Sequence, residues 1–239
     1  MTATPVETHH RSLSKSGGLS LTALSGTLGA LLLIASALVA GQPPAPDAPT
    51  SDVTTFLTDH RSALLWGAVA AGLSGIAFVV FISRLAGWFA HVAPTERHWT
   101  VAMVMSWIAL LTAYGLAGLP ILAITWRGPS GVDPTLVRLA ADIQALGSFS
   151  FTACFAALTV IAPSVIIARQ RLLPRWLLAL AAVEVAINLG ELAGIATTTG
   201  SDTAGYMYGL GPLVWAIWVI ALATTTAVQR KTISAAAAT

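Results

Sequence analysis

The stretch SALLWGAVAAGLSGIAFVVFIS, Ser62–Ser83, contains no charged side chain and is long enough to cross a lipid bilayer. A membrane-spanning helix needs about 20 mostly apolar residues. Similar runs recur along a chain of 239 residues that is 56% hydrophobic, 9% charged and has a mean hydropathy of +0.78. A soluble domain carries about 25% charged residues. The alternation of apolar and polar residues typical of a membrane β-barrel is missing. The sequence therefore predicts an all-α, polytopic transmembrane helical bundle.

Six spans are predicted, and they form a single transmembrane domain over residues 19–228. Residues 1–18 are polar and are predicted to be a disordered cytoplasmic N-terminus, and residues 229–239 a cytoplasmic tail. The predicted spans are 19–41, 62–83, 99–126, 139–168, 176–198 and 206–228.

The distribution of basic residues predicts the orientation of these spans. Lys and Arg near span ends are retained on the cytoplasmic side. With the N-terminus inside, nine basic residues fall inside and three outside, which predicts an N-in, C-in, multi-pass protein of the cytoplasmic membrane. The inner set is Arg11, Lys15, Arg84, Arg97, Arg169, Arg171, Arg175, Arg230 and Lys231, and the outer set is Arg61, Arg127 and Arg138.

The first span has two interpretations. Arg11 and Lys15, an apolar run and the small-residue sequence IASA (Ile34–Ala37) fit a cleaved signal peptide. The apolar run is long for a signal peptide, which favours a retained helix. The second span enters from outside in either case. The loop 42–61 then lies outside, and its Pro-rich beginning is predicted to be an extended spacer.

The segment VEVAINLGELAG, Val183–Gly194, places polar groups inside the fifth span. Glu184, Asn188 and Glu191 stand at i, i+4 and i+7, so all three lie on one helix face, with the glutamates about 10 Å apart along the axis. Thr198 continues the same face. A carboxylate in mid-bilayer costs roughly 2.5–3.5 kcal/mol, so this face must look into the bundle. Because desolvation disfavours the charged form, the pair is suited to binding a proton or a cation.

Asp142 and Gln144 in the fourth span are the candidate partners of these groups. Asp142 can pair with Arg138 at i,i+4, and with Gln144 it is predicted to meet Glu191 under the outer leaflet. The sequences YGLAGLP (Tyr114–Pro120) and YMYGLGP (Tyr206–Pro212) predict a kinked or interrupted helix in the third and sixth spans. Interrupted helices are tolerated where they line a cavity. Together these features predict an outward-facing polar pocket.

Three functional interpretations remain open from the sequence. The leading one is binding or transport of a proton, cation or small polar ligand, with Glu191 as the accessible site and Glu184 as the deeper one. In the second, an accessory or structural subunit uses the polar face to dock a membrane partner or a second copy of itself. In the third, an enzyme acts on lipid with a glutamate as general acid or base. A purely structural role for the three polar groups, as hydrogen-bonding contacts between helices, is the alternative to all of these.

Several kinds of chemistry find no support in the sequence. GLSG (Gly72–Gly75) matches the nucleophile motif of rhomboid proteases, but none of the five histidines lies in a later span to act as a base, so Ser74 is predicted to be a packing residue. No metal site or cofactor is predicted, since no span carries a haem-binding histidine or a lysine for a Schiff base. Basic residues are scattered singly, so nucleic acid is not an expected partner. The expected partner is the lipid bilayer.

The general pattern of six spans, a Pro-rich outer loop and no catalytic signature resembles small six-helix bacterial membrane proteins of the domain-of-unknown-function type. This resemblance rests on no diagnostic motif. It implies a membrane-embedded helical fold and assigns no functional residue.

Overall fold

A computed structural model describes residues 17–41, 43–45, 47–197 and 203–236, and within them the chain is all α-helical. The eight α-helices are α1 (Gly17–Ala40), α2 (Thr50–Asp59), α3 (Arg61–Val92), α4 (Arg97–Arg127), α5 (Pro134–Leu146), α6 (Ala153–Gln170), α7 (Arg175–Thr197) and α8 (Thr203–Ala236). Short 3-10 turns at Pro94–Glu96 and Pro129–Gly131 precede α4 and α5.

Six helical segments are long and apolar enough to cross a membrane, as the sequence predicted. One of them joins α5 and α6 through a wider π-helical turn at Gly147–Thr152 into a single segment, Pro134–Gln170. Large apolar side chains such as Val69, Leu73 and Ile76 are more than half exposed on the outer surface. Such a surface is stable against lipid tails and unstable in water. The protein is a multi-pass membrane protein in contact with the bilayer.

The six spans form a closed ring in chain order. α1 packs on α3, α3 on α4, α4 on α6, α6 on α7, and α7 on α8, which returns to α1. We call the end of the ring that carries α2 the α2 end, and the opposite end the Glu96 end. Because the spans alternate in direction, α1 begins and α8 finishes at the Glu96 end.

Aromatic side chains fill the middle of the ring. Trp107 lies between Phe78 and Trp215, with ring centroids 5.1 Å and 4.9 Å away, and Phe78 meets Trp215 edge-on at 5.2 Å. These rings and the fully buried Trp218 belong to the main hydrophobic core. The three tryptophans that lie deep in the spans therefore pack the bundle.

Small residues allow α1 to pack closely against this core. A Cβ at Gly26 would lie 2.8 Å from the Ala223 Cβ, and one at Gly29 would lie 2.7 Å from the Phe78 ring. Ser74 donates a hydrogen bond of 2.7 Å to the Gly29 carbonyl oxygen, which shows Ser74 acting as a packing residue. α1 thus packs closely against α3 and α8. Retention of this helix stays a prediction.

The loop before α3 contains a helix that the sequence analysis did not predict. Val53 and Leu57 of α2 are buried with Val137 of α5 in a second, smaller hydrophobic core. Arg138 of α5 also contacts the segment before α2, because it donates a hydrogen bond of 2.8 Å to the Ala48 carbonyl oxygen. The described residues before α2 are non-helical, and the Ala48 N–H donates to the Ala45 carbonyl oxygen at 2.9 Å in a turn. The extended spacer stays a prediction.

The predicted helix interruptions are not observed. α4 continues as one helix through Pro120, and α8 includes the whole of Tyr206–Pro212. Proline removes one helix hydrogen bond, and in a membrane helix the neighbouring turns and helices compensate for it. The irregular turn is instead at Gly147–Thr152, where a Cβ on Gly147 would lie 2.5 Å from the Ala117 Cβ. The prediction of an interruption was therefore wrong in both helices, and the alternative of a kink stays a prediction.

Candidate functional site

The polar face of α7 is buried inside the bundle. The exposed fractions of Glu184, Asn188 and Glu191 are 0%, 4% and 9%, whereas Val183 and Leu189 on the other side of the helix are each 52% exposed. One face of α7 therefore carries all three polar groups inward and the other faces lipid. We call Glu184, Asn188 and Glu191 the polar stripe. Thr198 lies outside the described residues.

Glu184 and Asn188 are bonded to each other. The Asn188 Nδ2 donates to the Glu184 Oε1 at 2.6 Å and to the Glu184 backbone carbonyl at 2.9 Å. Both bonds lie within one helix turn, so they do not join α7 to a neighbouring helix. The second carboxyl oxygen of Glu184, Oε2, is buried and has no hydrogen-bond partner among the described residues.

Glu191 lies against α8. Its carboxyl group reaches the backbone of Gly211, and a Cβ at that position would overlap the Glu191 Oε1. Only glycine leaves this space. Glu191 Oε1 is itself buried with no hydrogen-bond partner in the described part of the chain. Each glutamate therefore keeps one carboxyl oxygen unsatisfied.

The contact between Glu191 and Gly211 fixes which residues of α8 lie level with the rest of the stripe. α7 and α8 run in opposite directions, so moving seven residues back from Glu191 and seven forward from Gly211 pairs Glu184 with Trp218. Trp218 is fully buried, and its indole N–H also lacks a partner among the described residues. An unpaired acceptor and an unpaired donor thus occupy the same depth of the bundle.

The next helix contributes one hydroxyl group to this region. Trp215 of α8 donates a hydrogen bond of 3.0 Å from its Nε1 to the Thr159 Oγ1 of α6. Thr159 is fully buried and donates in turn to the Ala156 carbonyl oxygen at 2.6 Å. Trp215 and Thr159 are therefore both hydrogen-bonded, unlike the Trp218 indole N–H and the Glu184 Oε2.

Asp142 and Gln144 lie apart from the polar stripe. Asp142 pairs with Arg138 at 2.9 Å, as its spacing predicted, and both side chains are partly exposed. α5 packs mainly on α2 and α4, whereas α7 packs on α6, α8 and the π-helical turn. Because the connection between α6 and α7 is short, Glu191 of α7 lies at the same depth as about residue 154 of α6. Asp142 precedes that position by about 12 helical residues, so it lies roughly 18 Å nearer the α2 end. The structure therefore does not bring Asp142 or Gln144 to Glu191.

Two surface grooves lie between the spans of the described structure, and neither opens onto the polar stripe. One lies between α4 and α6, and the other, of about 500 Å³, lies between α6 and α7. Both are lined almost entirely by apolar side chains, and neither includes a glutamate. The predicted outward-facing mouth would pass residues 198–202, which lie outside the described residues. In the described structure the stripe is enclosed.

The residue that sequence reasoning missed is Gly211. The sequence YMYGLGP was noted for its helix-breaking residues, but the glycine in it makes room for a carboxyl group from the neighbouring helix. Trp218 was not predicted to lie level with Glu184, because this position follows only from the register of α7 against α8. One signal was available, because Gly211 and Trp218 are separated by the same seven residues as the two glutamates.

Fold and site together define a polytopic α-helical membrane protein with two buried glutamates in one span. Comparisons with protein-family models, curated proteins and solved structures find no match for this chain.

Proposed function

We propose that this protein binds protons at the polar stripe and transports them across the cytoplasmic membrane, with Glu191 as the entry site and Glu184 as the deeper site. The observation that carries the proposal is the pair of buried carboxyl groups, each with an unsatisfied oxygen. An unpaired buried polar atom costs about 1–3 kcal/mol, so a stable structure favours an occupant there. Ionisable groups inside spans commonly belong to proton or ion pathways.

The neighbouring groups favour a proton carried by water over a metal cation. The Trp218 indole N–H can only donate a hydrogen bond, so it cannot be a ligand to a metal ion and suits an oxygen that accepts from it. A water molecule between Trp218 and Glu184 could accept from the indole and donate to Oε2. In addition, the described residues contain no group of three His, Cys, Asp or Glu side chains that could hold a metal ion.

Proton flux into proteoliposomes, followed with a trapped pH-sensitive dye under an imposed potential, tests this proposal. Glu184→Gln and Glu191→Gln keep the shape of each side chain and remove its exchangeable proton, so each is expected to slow the flux at least tenfold. Asp142→Asn is the matched control, because this acidic residue lies outside the stripe, and it should stay within twofold of wild type. Unchanged flux in both glutamine variants, or no flux through the wild type, would overturn the proposal.

Flux of sodium or potassium, measured under a gradient of either ion in the same proteoliposomes, distinguishes a proton site from a site for other cations. Flux of either metal ion that depends on Glu191 would show a cation site in place of the proton site. Small polar ligands are tested in the same vesicles by their ability to drive glutamate-dependent proton uptake.

The accessory-subunit interpretation uses the stripe to dock a partner. Glu191 already contacts Gly211 of α8 in the same chain and all three stripe residues are buried, which favours proton binding over docking. Co-purification of a stoichiometric partner, or a homo-oligomer that dissociates in the Asn188→Leu variant, would favour that interpretation.

A further inference from the structure

We infer that the groove between α6 and α7 is a binding site for one anionic phospholipid, with the phosphate held by Arg171 and Arg175. This site does not overlap the polar stripe and does not depend on the proposed transport. It combines an apolar channel on the lipid-facing surface with a pair of arginines at one end.

The length of the groove matches the thickness of the acyl chains in one leaflet of the bilayer. Its α7 wall runs from Leu178 to Leu189, a rise of about 16 Å, which is roughly half of a 30 Å hydrocarbon core. The opposite wall is formed by α6 from Ile161 to Ala168. Many of the lining residues are alanines, which leave a furrow between the larger side chains. A single lipid tail from one leaflet fits this depth.

The connection between α6 and α7 puts the two arginines at the Glu96 end of this groove. Arg175 precedes Leu178 by three residues on α7, so it continues the α7 wall, and Arg171 directly follows Gln170, the last residue of α6. Both arginines are exposed. Arg171 also has φ of 51°, a left-handed conformation that is uncommon outside glycine. That conformation ends α6 and starts the short connection to Arg175, the first residue of α7.

The acidic group nearest in the fold is already engaged. Glu96 is buried and accepts hydrogen bonds from Arg169 at 3.2 Å and from Gln170 at 3.5 Å. Among the described residues at the Glu96 end it is the only acid, and neither Arg171 nor Arg175 forms an ion pair in that part of the chain. The positive charges of Arg171 and Arg175 therefore favour binding of an anion from outside the chain.

Two further side chains suit a lipid occupant. Trp176, next to Arg175, is 52% exposed, as expected of an indole at headgroup depth. Ser164 lines the groove, and its hydroxyl is buried without a partner in the described structure. It lies about 10 Å below Arg171, deeper than a phosphate on the arginines would lie. A polar group at this depth suits the ester linkages of a lipid.

Native mass spectrometry of the full chain in detergent, titrated with phosphatidylglycerol or with phosphatidylcholine of the same acyl chains, tests the site. The wild type should bind the anionic lipid at least tenfold more tightly. Because each basic residue near a membrane surface contributes measurably to anionic lipid binding, Arg171→Gln with Arg175→Gln should remove roughly 10- to 30-fold of that affinity. Equal binding of the two lipids by wild type would overturn the inference.

Two controls separate this site from the general charge of the Glu96 end. Arg97→Gln removes an exposed arginine at the same end but away from the groove, and it should leave the lipid preference within twofold of wild type. Ala182→Phe fills the groove without changing charge and should weaken binding of both lipids. Loss of preference in the Arg97 variant, or no effect of the Ala182 variant, would contradict the site. Full competition by inorganic phosphate would show an anion site that does not recognise lipid.

Discussion

Gly211 controls the position of the Glu191 carboxyl group at the scale of single residues. A Cβ at this position would overlap the end of the Glu191 side chain, which is flexible enough to move aside. We therefore expect Gly211→Ala to fold, with a loss of thermal stability no larger than about 1–3 kcal/mol, and to reduce proton flux at least as strongly as Glu191→Gln. Thermal unfolding in detergent and the proteoliposome assay measure the two effects.

Gly118→Ala in α4 is the matched control for this substitution. An added Cβ there meets nothing within 4 Å. The variant should keep wild-type flux and gain up to about 1 kcal/mol from the better helix propensity of alanine. A Gly211 variant with normal flux would show that the position of Glu191 does not matter for transport.

The bond between Asn188 and Glu184 can be measured separately. Removing the amide leaves both oxygens of a fully buried carboxyl group without a partner, so Asn188→Leu should destabilise the protein by about 1–3 kcal/mol. Glu184→Leu combined with Asn188→Leu should cost less than the sum of the two single changes, because the pair is then removed together. Additive effects in the thermal unfolding of the three variants would show that the 2.6 Å bond contributes nothing.

The sequence could predict the polar stripe but not the residues that face it. The spacing of Glu184, Asn188 and Glu191 determines that they share a helix face, and the cost of charge in lipid determines that this face points inward. Neither argument says which helix covers the face. The contact with Gly211 depends on the packing of α7 against α8, which is a tertiary property.

Glycines control the packing of the first span at the scale of helices. Gly26 and Gly29 put the backbone of α1 directly against Ala223, Phe81 and Phe78, and aromatic rings in a packed core cannot move easily. Gly26→Ala and Gly29→Ala are each expected to lower the free energy of unfolding by about 1–3 kcal/mol. Gly75→Ala in α3, which has open space around it, should be neutral or stabilising in the same thermal unfolding measurement. Equal stability of all three variants would contradict the close approach of α1.

Helix existence was predictable from composition, and helix irregularity was not. Long apolar runs predict all six spans because a bilayer permits little else. The two segments rich in glycine and proline stay helical, since lost hydrogen bonds can be compensated by neighbours, while the irregular turn at Gly147–Thr152 has no proline at all. The α2 helix was missed because its buried apolar residues, Val53 and Leu57, are few and are buried only by tertiary contacts, with α5 among them.

The charge distribution between the two ends predicts the orientation of the whole molecule. The described residues at the Glu96 end carry mostly arginines, and those at the α2 end carry most of the aspartates. Since basic residues are retained on the cytoplasmic side, the Glu96 end is expected to face the cytoplasm. Cysteine labelling in intact cells, in a Cys154→Ser background that leaves no other cysteine, measures this.

Thr95 and Ser130 are suitable positions because both are exposed and lie at opposite ends of α4. An impermeant thiol reagent should label the Ser130→Cys variant in intact cells and the Thr95→Cys variant only after permeabilisation. The reverse pattern would invert the topology and place the predicted entry site of the stripe on the cytoplasmic side.

The closed ring of spans has a consequence for protein engineering. α8 packs directly on α1, and packed helices lie about 8–10 Å apart, so Gly17 and Ala236 emerge side by side from the Glu96 end. A short flexible linker could join them, and new termini could be opened in the turn at Pro129–Gly131. Such a circularly permuted chain would keep every helix contact of the ring while exchanging the order in which the spans leave the ribosome.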